Sequence, residues 1–126
     1  MPSHVHLIVG SKDKPLEDII RDMKSHTSAT LKKLIKEHPQ ESRKEWLLWM
    51  FERAGKKNNN NTDWQFWQQH NQPLEITDQK MFAETIYYIH QNPVVSGYVY
   101  EAEQWIYSSA KHYANNEGLI KLASFT

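Results

Sequence analysis

Between Pro15 and Pro39, the residues Leu16, Ile19, Ile20, Met23, Thr27, Thr30, Leu31, Leu34 and Ile35 recur at steps of three, one and four. That recurrence follows the 3.6-residue period and predicts an amphipathic helix of about six turns. Pro15 suits the first helical position, and Glu17 and Asp18 fall in the first turn, where the helix dipole favours anions. The helix should stop before Pro39, because a proline disfavours helical backbone in the residue preceding it.

A second helix is predicted over Asp78 to Gln91. Thr77 can cap it, Met81, Phe82, Thr85, Ile86 and Ile89 form its apolar face, and Pro93 stops it. The apolar run from Arg43 to Ala54, ahead of Gly55, reads as a helix capped by Ser42 with Glu45 three residues on. A buried strand is the competing reading there. The opening Val5-His6-Leu7-Ile8-Val9 is β-branched and stops at Gly10, which favours a short buried strand. Lys56 to Asn61 is a polar loop, Gln65 to Pro73 looks extended, and Tyr98 to Tyr113 is aromatic and turn-rich.

Composition narrows the function. The chain has 126 residues, no cysteine, and 15 basic against 15 acidic side chains. The length fits one domain, 1–126. Absent cysteine excludes a disulfide scaffold, a zinc finger and a thiol nucleophile, and fits a reducing, cytoplasmic compartment. No apolar run suggests a membrane partner. Zero net charge argues against non-specific coating of nucleic acid. The charge is uneven, however. Residues 1–63 hold 12 basic and 9 acidic groups, and residues 64–126 hold 3 and 6. Lys12, Lys14, Arg21, Lys24, Lys32, Lys33 and Lys36 follow one another along the first helix. They form either a solvated face or a partial phosphate-contacting stripe.

Three constellations could carry chemistry. In a strand, His4 and His6 would project to one face, a natural half-site for a divalent metal or an ordinary polar face. On the later helix, Tyr88 and Asn92 are four apart and therefore neighbours. A phenol beside a cation can attack phosphorus; equally, Tyr88 could be a core residue and Asn92 a cap. Trp64-Gln65-Phe66-Trp67-Gln68-Gln69-His70 combines rings with amides, which suits single-stranded nucleic acid or a plain core.

Together these pieces resemble a known family. Met1-Pro2-Ser3-His4-Val5-His6-Leu7-Ile8-Val9 resembles the "MPNHVHLL" strand of single-tyrosine HUH transposases, nearest to the REP-associated tyrosine transposases and their insertion-sequence relatives. Tyr88-Ile89-His90-Gln91-Asn92-Pro93-Val94 with Gly97 resembles their "YIHxNPVxxG" segment. Trp105-Ile106-Tyr107-Ser108-Ser109 resembles their "WxxSS" tail, and Phe66-Trp67 with His70 their aromatic strand.

The resemblance implies an α+β, ferredoxin-like HUH endonuclease fold, an antiparallel sheet with helices on one face. It implies a metal-dependent endonuclease and strand transferase acting on single-stranded DNA beside hairpins through a 5′-phosphotyrosine. His4, His6 and Asn92 match the metal ligands for Mg²⁺ or Mn²⁺, and Tyr88 matches the nucleophile. Lys12, Lys14, Arg21, Lys24, Trp64, Gln65, Trp67 and His70 are the expected DNA contacts. Relatives occur as monomers and as homodimers, and both remain open here. The family carries a strand and a helix before the histidine motif, whereas this chain begins at the motif, so the expected fold is incomplete at its N-terminus. The alternative expectation is a hairpin-DNA-binding remnant without chemistry.

Overall fold

In the computed structural model, which describes residues 1–60 and 63–124, the chain folds into two compact units. One comprises Val9–Pro73, and the other comprises Met1–Ile8 together with the chain from Leu74 onward. Among the described residues the regular structure is entirely helical: α1 (Leu16–Glu37), α2 (Lys44–Lys56), α3 (Gln79–Val95), a 3₁₀ turn (Ala102–Gln104) and α4 (Ala110–Asn115). Asn61, the end of the expected polar loop, lies outside the described residues.

The expected ferredoxin-like antiparallel sheet is therefore corrected: no strand forms among the described residues. A strand exists only through a backbone ladder. The segment Val5–Val9 takes no regular structure and makes no backbone hydrogen bond among those residues. Val5 and Leu7 remain 58% and 51% exposed, so the segment is not the buried strand its composition suggests. Nor does Gln65–Pro73 supply a ladder partner.

In the first unit, α1 forms as its periodicity predicts and ends where expected, with His38 N–H on the Leu34 carbonyl just before Pro39. Its half-buried residues include Ile19, Ile20, Lys24, Thr27, Ser28, Leu31 and Ile35, whereas Leu16, Met23 and Leu34 stay exposed. The segment after α2 docks on α1: Trp64 Nε1 donates to Ser28 Oγ at 3.1 Å, and Trp67 Nε1 to Thr27 Oγ1 at 2.8 Å. Phe51 of α2 packs on both Trp64 and Phe66, with ring centroids 5.0 Å apart in each pair.

Helix α2 differs from its expected ends. Arg43 is its N-cap, and no side-chain cap forms because a guanidinium carries no acceptor; Glu41 Oε1 accepts the Arg43 N–H. The helix also runs through Gly55 rather than stopping before it. Gly55 is buried because the backbone of Trp64 crosses directly over it.

In the second unit Asp78, not Thr77, caps α3, its carboxylate accepting from Met81 N–H at 2.8 Å. Pro93 lies inside the helix instead of ending it. The termination comes four residues later, where Gly97 adopts φ +75°, Gly97 N–H reaches the Val94 carbonyl and Tyr98 N–H reaches the Pro93 carbonyl. This left-handed helix end favours glycine, which has no Cβ to clash. The buried residues of this unit are small or polar: His90 and Pro93 on α3, Ala102 in the 3₁₀ turn and Ala110 on α4.

Candidate functional site

His4 and His6, two residues apart, bring their rings together even without a ladder. Their ring centroids are 4.9 Å apart, edge to face. The Ser3 hydroxyl lies 3.2 Å from His4 Nδ1, which leaves Nε2 as the nitrogen available to a ligand. Burial, and then the proximity of His4 and the terminal amine, pull the His6 pKa below its ordinary value. The lowering favours the neutral imidazole, the form that binds a metal.

The third group comes from α3. The Tyr88 ring lies 5.7 Å from the His6 ring at 77°, an edge-on contact. Tyr88, and not its neighbour Tyr87, is the phenol against His6. It is 59% exposed, so a phosphodiester can reach it from solvent. Asn92 follows one turn on, and its amide nitrogen donates to the Tyr88 carbonyl at 3.4 Å. Its Oδ1 accepts no hydrogen bond among the described residues. No cluster of three or more His, Asp or Glu side chains arranged for a metal exists among the described residues. The donor set is therefore two imidazoles plus, at most, one amide oxygen. Imidazoles suit softer divalent ions better than Mg²⁺, so a hard cation here would draw most of its shell from phosphate and water.

The expected DNA contacts belong to the other unit, where several have protein partners. Arg21 is paired with both Asp18 and Asp22. Lys24 donates to the Gln68 carbonyl at 2.9 Å. Trp64 and Trp67 are half-buried with their indole N–H groups on α1, and the Lys32 ammonium lies 4.8 Å from the Trp64 ring centroid. Gln65 bonds Asn58 and the Trp67 carbonyl. Lys12, Lys14 and His70 are exposed, and His70 takes φ +71°.

Two groups escaped the sequence reading. His90 Nε2 lies 2.9 Å from Ser109 Oγ, joining α3 to the residue that opens α4. On α2, Trp46 and Trp49 stand open to solvent beside Arg53. Their spacing of three and four places them on one helix face, a signal obscured because the run reads as uniformly apolar.

No protein-family model, no curated protein and no solved structure matches the chain. No helix among the described residues is long and apolar enough to cross a membrane.

Proposed function

We propose that this chain is a metal-assisted, tyrosine-dependent DNA strand transferase that forms a 5′-phosphotyrosine on single-stranded DNA beside a hairpin. The observation that carries the reading is the edge contact of Tyr88 with His6, whose ring in turn meets His4 edge to face, groups drawn from distant parts of the sequence. The motif resemblance supports the same residues, and the proposal concerns their chemistry rather than a sheet fold.

His4 and His6 would hold a divalent cation, Mg²⁺ or Mn²⁺, with Asn92 Oδ1 as a further donor. Such an ion supplies charge neutralisation and polarisation at the phosphate. Tyr88 Oη attacks phosphorus in line; the Tyr–O–P bond forms as the P–O3′ bond breaks. The phenolic proton leaves to solvent and the departing 3′ oxygen takes one up, so protons balance. Attack by another 3′-hydroxyl reverses the step and joins strands. No nucleotide hydrolysis is required, because one phosphodiester is exchanged for another.

The test is covalent capture. With Mn²⁺ and a hairpin-bearing oligonucleotide, the chain should shift to a protein–DNA adduct stable to denaturation. Tyr88→Phe should abolish the adduct while retaining DNA binding, and His6→Ala should remove its metal dependence together with most of its yield. An adduct that persists in Tyr88→Phe would refute the assignment of the nucleophile. A second reading, a hairpin-binding remnant, is favoured by the lack of any backbone ladder holding the histidine segment. It predicts binding with no adduct under any metal.

A further inference from the structure

Tryptophan is usually largely buried, so exposed indoles are informative. Trp46 and Trp49 are 54% and 53% exposed. Both lie on α2, three residues apart, and Arg53 follows at the next turn of the same face. The Arg53 guanidinium carbon sits 5.1 Å from the centroid of the Trp49 ring. Neither Arg53 nor Lys56, one turn further on, makes an ion pair among the described residues.

We infer that this face of α2 is a stacking surface for the bases of single-stranded DNA. The inference rests on the proposed function for the class of partner. Every base has a π-face, and exposed rings flanked by a guanidinium plane accept bases with little regard to sequence. The unit that carries the face holds 12 basic and 9 acidic side chains, net +3, which complements a phosphate backbone. Glu45 and Glu52 lie toward the flank of the face, while Arg53 falls between the two rings in helical projection. Trp64 and Trp67 contrast with this pair, because their N–H groups and much of their surface belong to the packing on α1. Exposed rings also mark protein contacts. The free cations and the net charge of the unit favour the nucleic acid.

The experiment is a titration of the whole chain with a labelled single-stranded oligodeoxythymidine, followed by anisotropy and by quenching of tryptophan fluorescence. Replacing both rings, Trp46→Ala with Trp49→Ala, should weaken binding about thirtyfold or more. Replacing both with Phe should keep binding within about threefold, since a phenyl ring still stacks. Helicity by circular dichroism should be unchanged in both. Failure of the parent chain to bind the oligonucleotide, or equal binding by the double-alanine variant, would overturn the inference. So would a double-alanine variant that loses self-association in sedimentation while binding DNA as before, since the face would then be a protein contact. Covalent capture separates this inference from the proposed reaction. Ring-dependent binding without an adduct leaves the surface standing and removes the chemistry; an adduct with ring-independent affinity does the reverse.

Discussion

Gly55→Ala poses a question of sign. In the interior of an exposed helix, replacing glycine by alanine stabilises by about 0.5–1 kcal/mol, because it restricts the unfolded chain. At Gly55 the added Cβ would overlap Trp64 N and stand 2.7 Å from Trp64 Cα and 2.8 Å from Asp63 C. All three atoms are backbone, so no side-chain rotation relieves the clash and the segment beyond α2 must move. Overpacking of this kind costs about 1–3 kcal/mol. The same movement loosens Gln65 N–H on the Phe51 carbonyl, Trp64 Nε1 on Ser28 and Trp67 Nε1 on Thr27. Each such bond contributes about 0.5–1.5 kcal/mol. Steric cost plus part of the hydrogen bonding outweighs the helix gain, and a net destabilisation of about 2 kcal/mol is expected. Urea unfolding followed by tryptophan fluorescence measures it, as a lower midpoint at unchanged slope. Gly10→Ala is the control, since nothing lies within 4 Å of a Cβ there, and it should change stability by less than about 0.5 kcal/mol. A Gly55→Ala variant as stable as the parent, or more so, would refute the claim that Trp64 is seated against this glycine.

Asp78→Ala removes the side-chain cap of α3 and should cost about 1 kcal/mol in thermal or urea unfolding, whereas Asp78→Asn should cost little. Gly97→Ala meets no atom within 4 Å but must hold φ +75°, so a loss of about 1–2 kcal/mol from backbone strain alone is expected in the same assay. Burial pulls the His90 pKa below its ordinary value of 6.5, partly opposed by Glu103. The unfolded chain then binds the proton more tightly, so His90 favours the folded state fully above about pH 6.5 and that stability is lost as pH falls through the folded pKa. His6, also lowered, adds a loss of the same sign. Thermal midpoints measured against pH with a chelator present should fall in acid, and His90→Gln should flatten that fall; an unchanged slope would refute the assignment.

What the sequence disclosed depended on whether the signal was local. The α1 period and Pro39 were sufficient to place that helix, because an amphipathic face and a terminal proline act within a few residues. The end of α3 was misread at Pro93, since the buried ring is accommodated by packing and the stop belongs to Gly97 in the left-handed region. The sheet was misread because a β-branched run shows only that a strand would be tolerated; its ladder depends on a partner elsewhere, and none forms among the described residues. The helical neighbours Tyr88 and Asn92 were legible from spacing four, and the pairing of His4 with His6 from spacing two. The approach of His6 to Tyr88 was not, being a long-range contact that only the motif resemblance suggested.

The uneven charge bears directly on the proposed reaction. The unit carrying Tyr88 has 3 basic and 6 acidic side chains, net −3, so it repels the phosphodiester it would have to cleave. Two of its cations are already paired, Lys111 with Glu117 at 3.0 Å and Lys80 with Glu84 at 3.9 Å. In the other unit the arginines Arg21 and Arg43 are paired, but Lys12, Lys14, Lys33 and Lys36 make no ion pair among the described residues. If the proposed reaction holds, affinity for the DNA backbone should come from lysines of the basic unit, while the acidic unit would need a cation at the histidines to admit phosphate. Each phosphate neutralised on a single strand contributes about 0.7 to the slope of log affinity against log salt. Substituting a contacting lysine among Lys12, Lys14, Lys33 and Lys36 by Gln should reduce that slope by about 0.7, and Lys80→Gln or Lys111→Gln should leave it unchanged. Equal reductions from Lys80 or Lys111 would mean that the backbone runs over the acidic unit, and the division of labour drawn from these charges would fail.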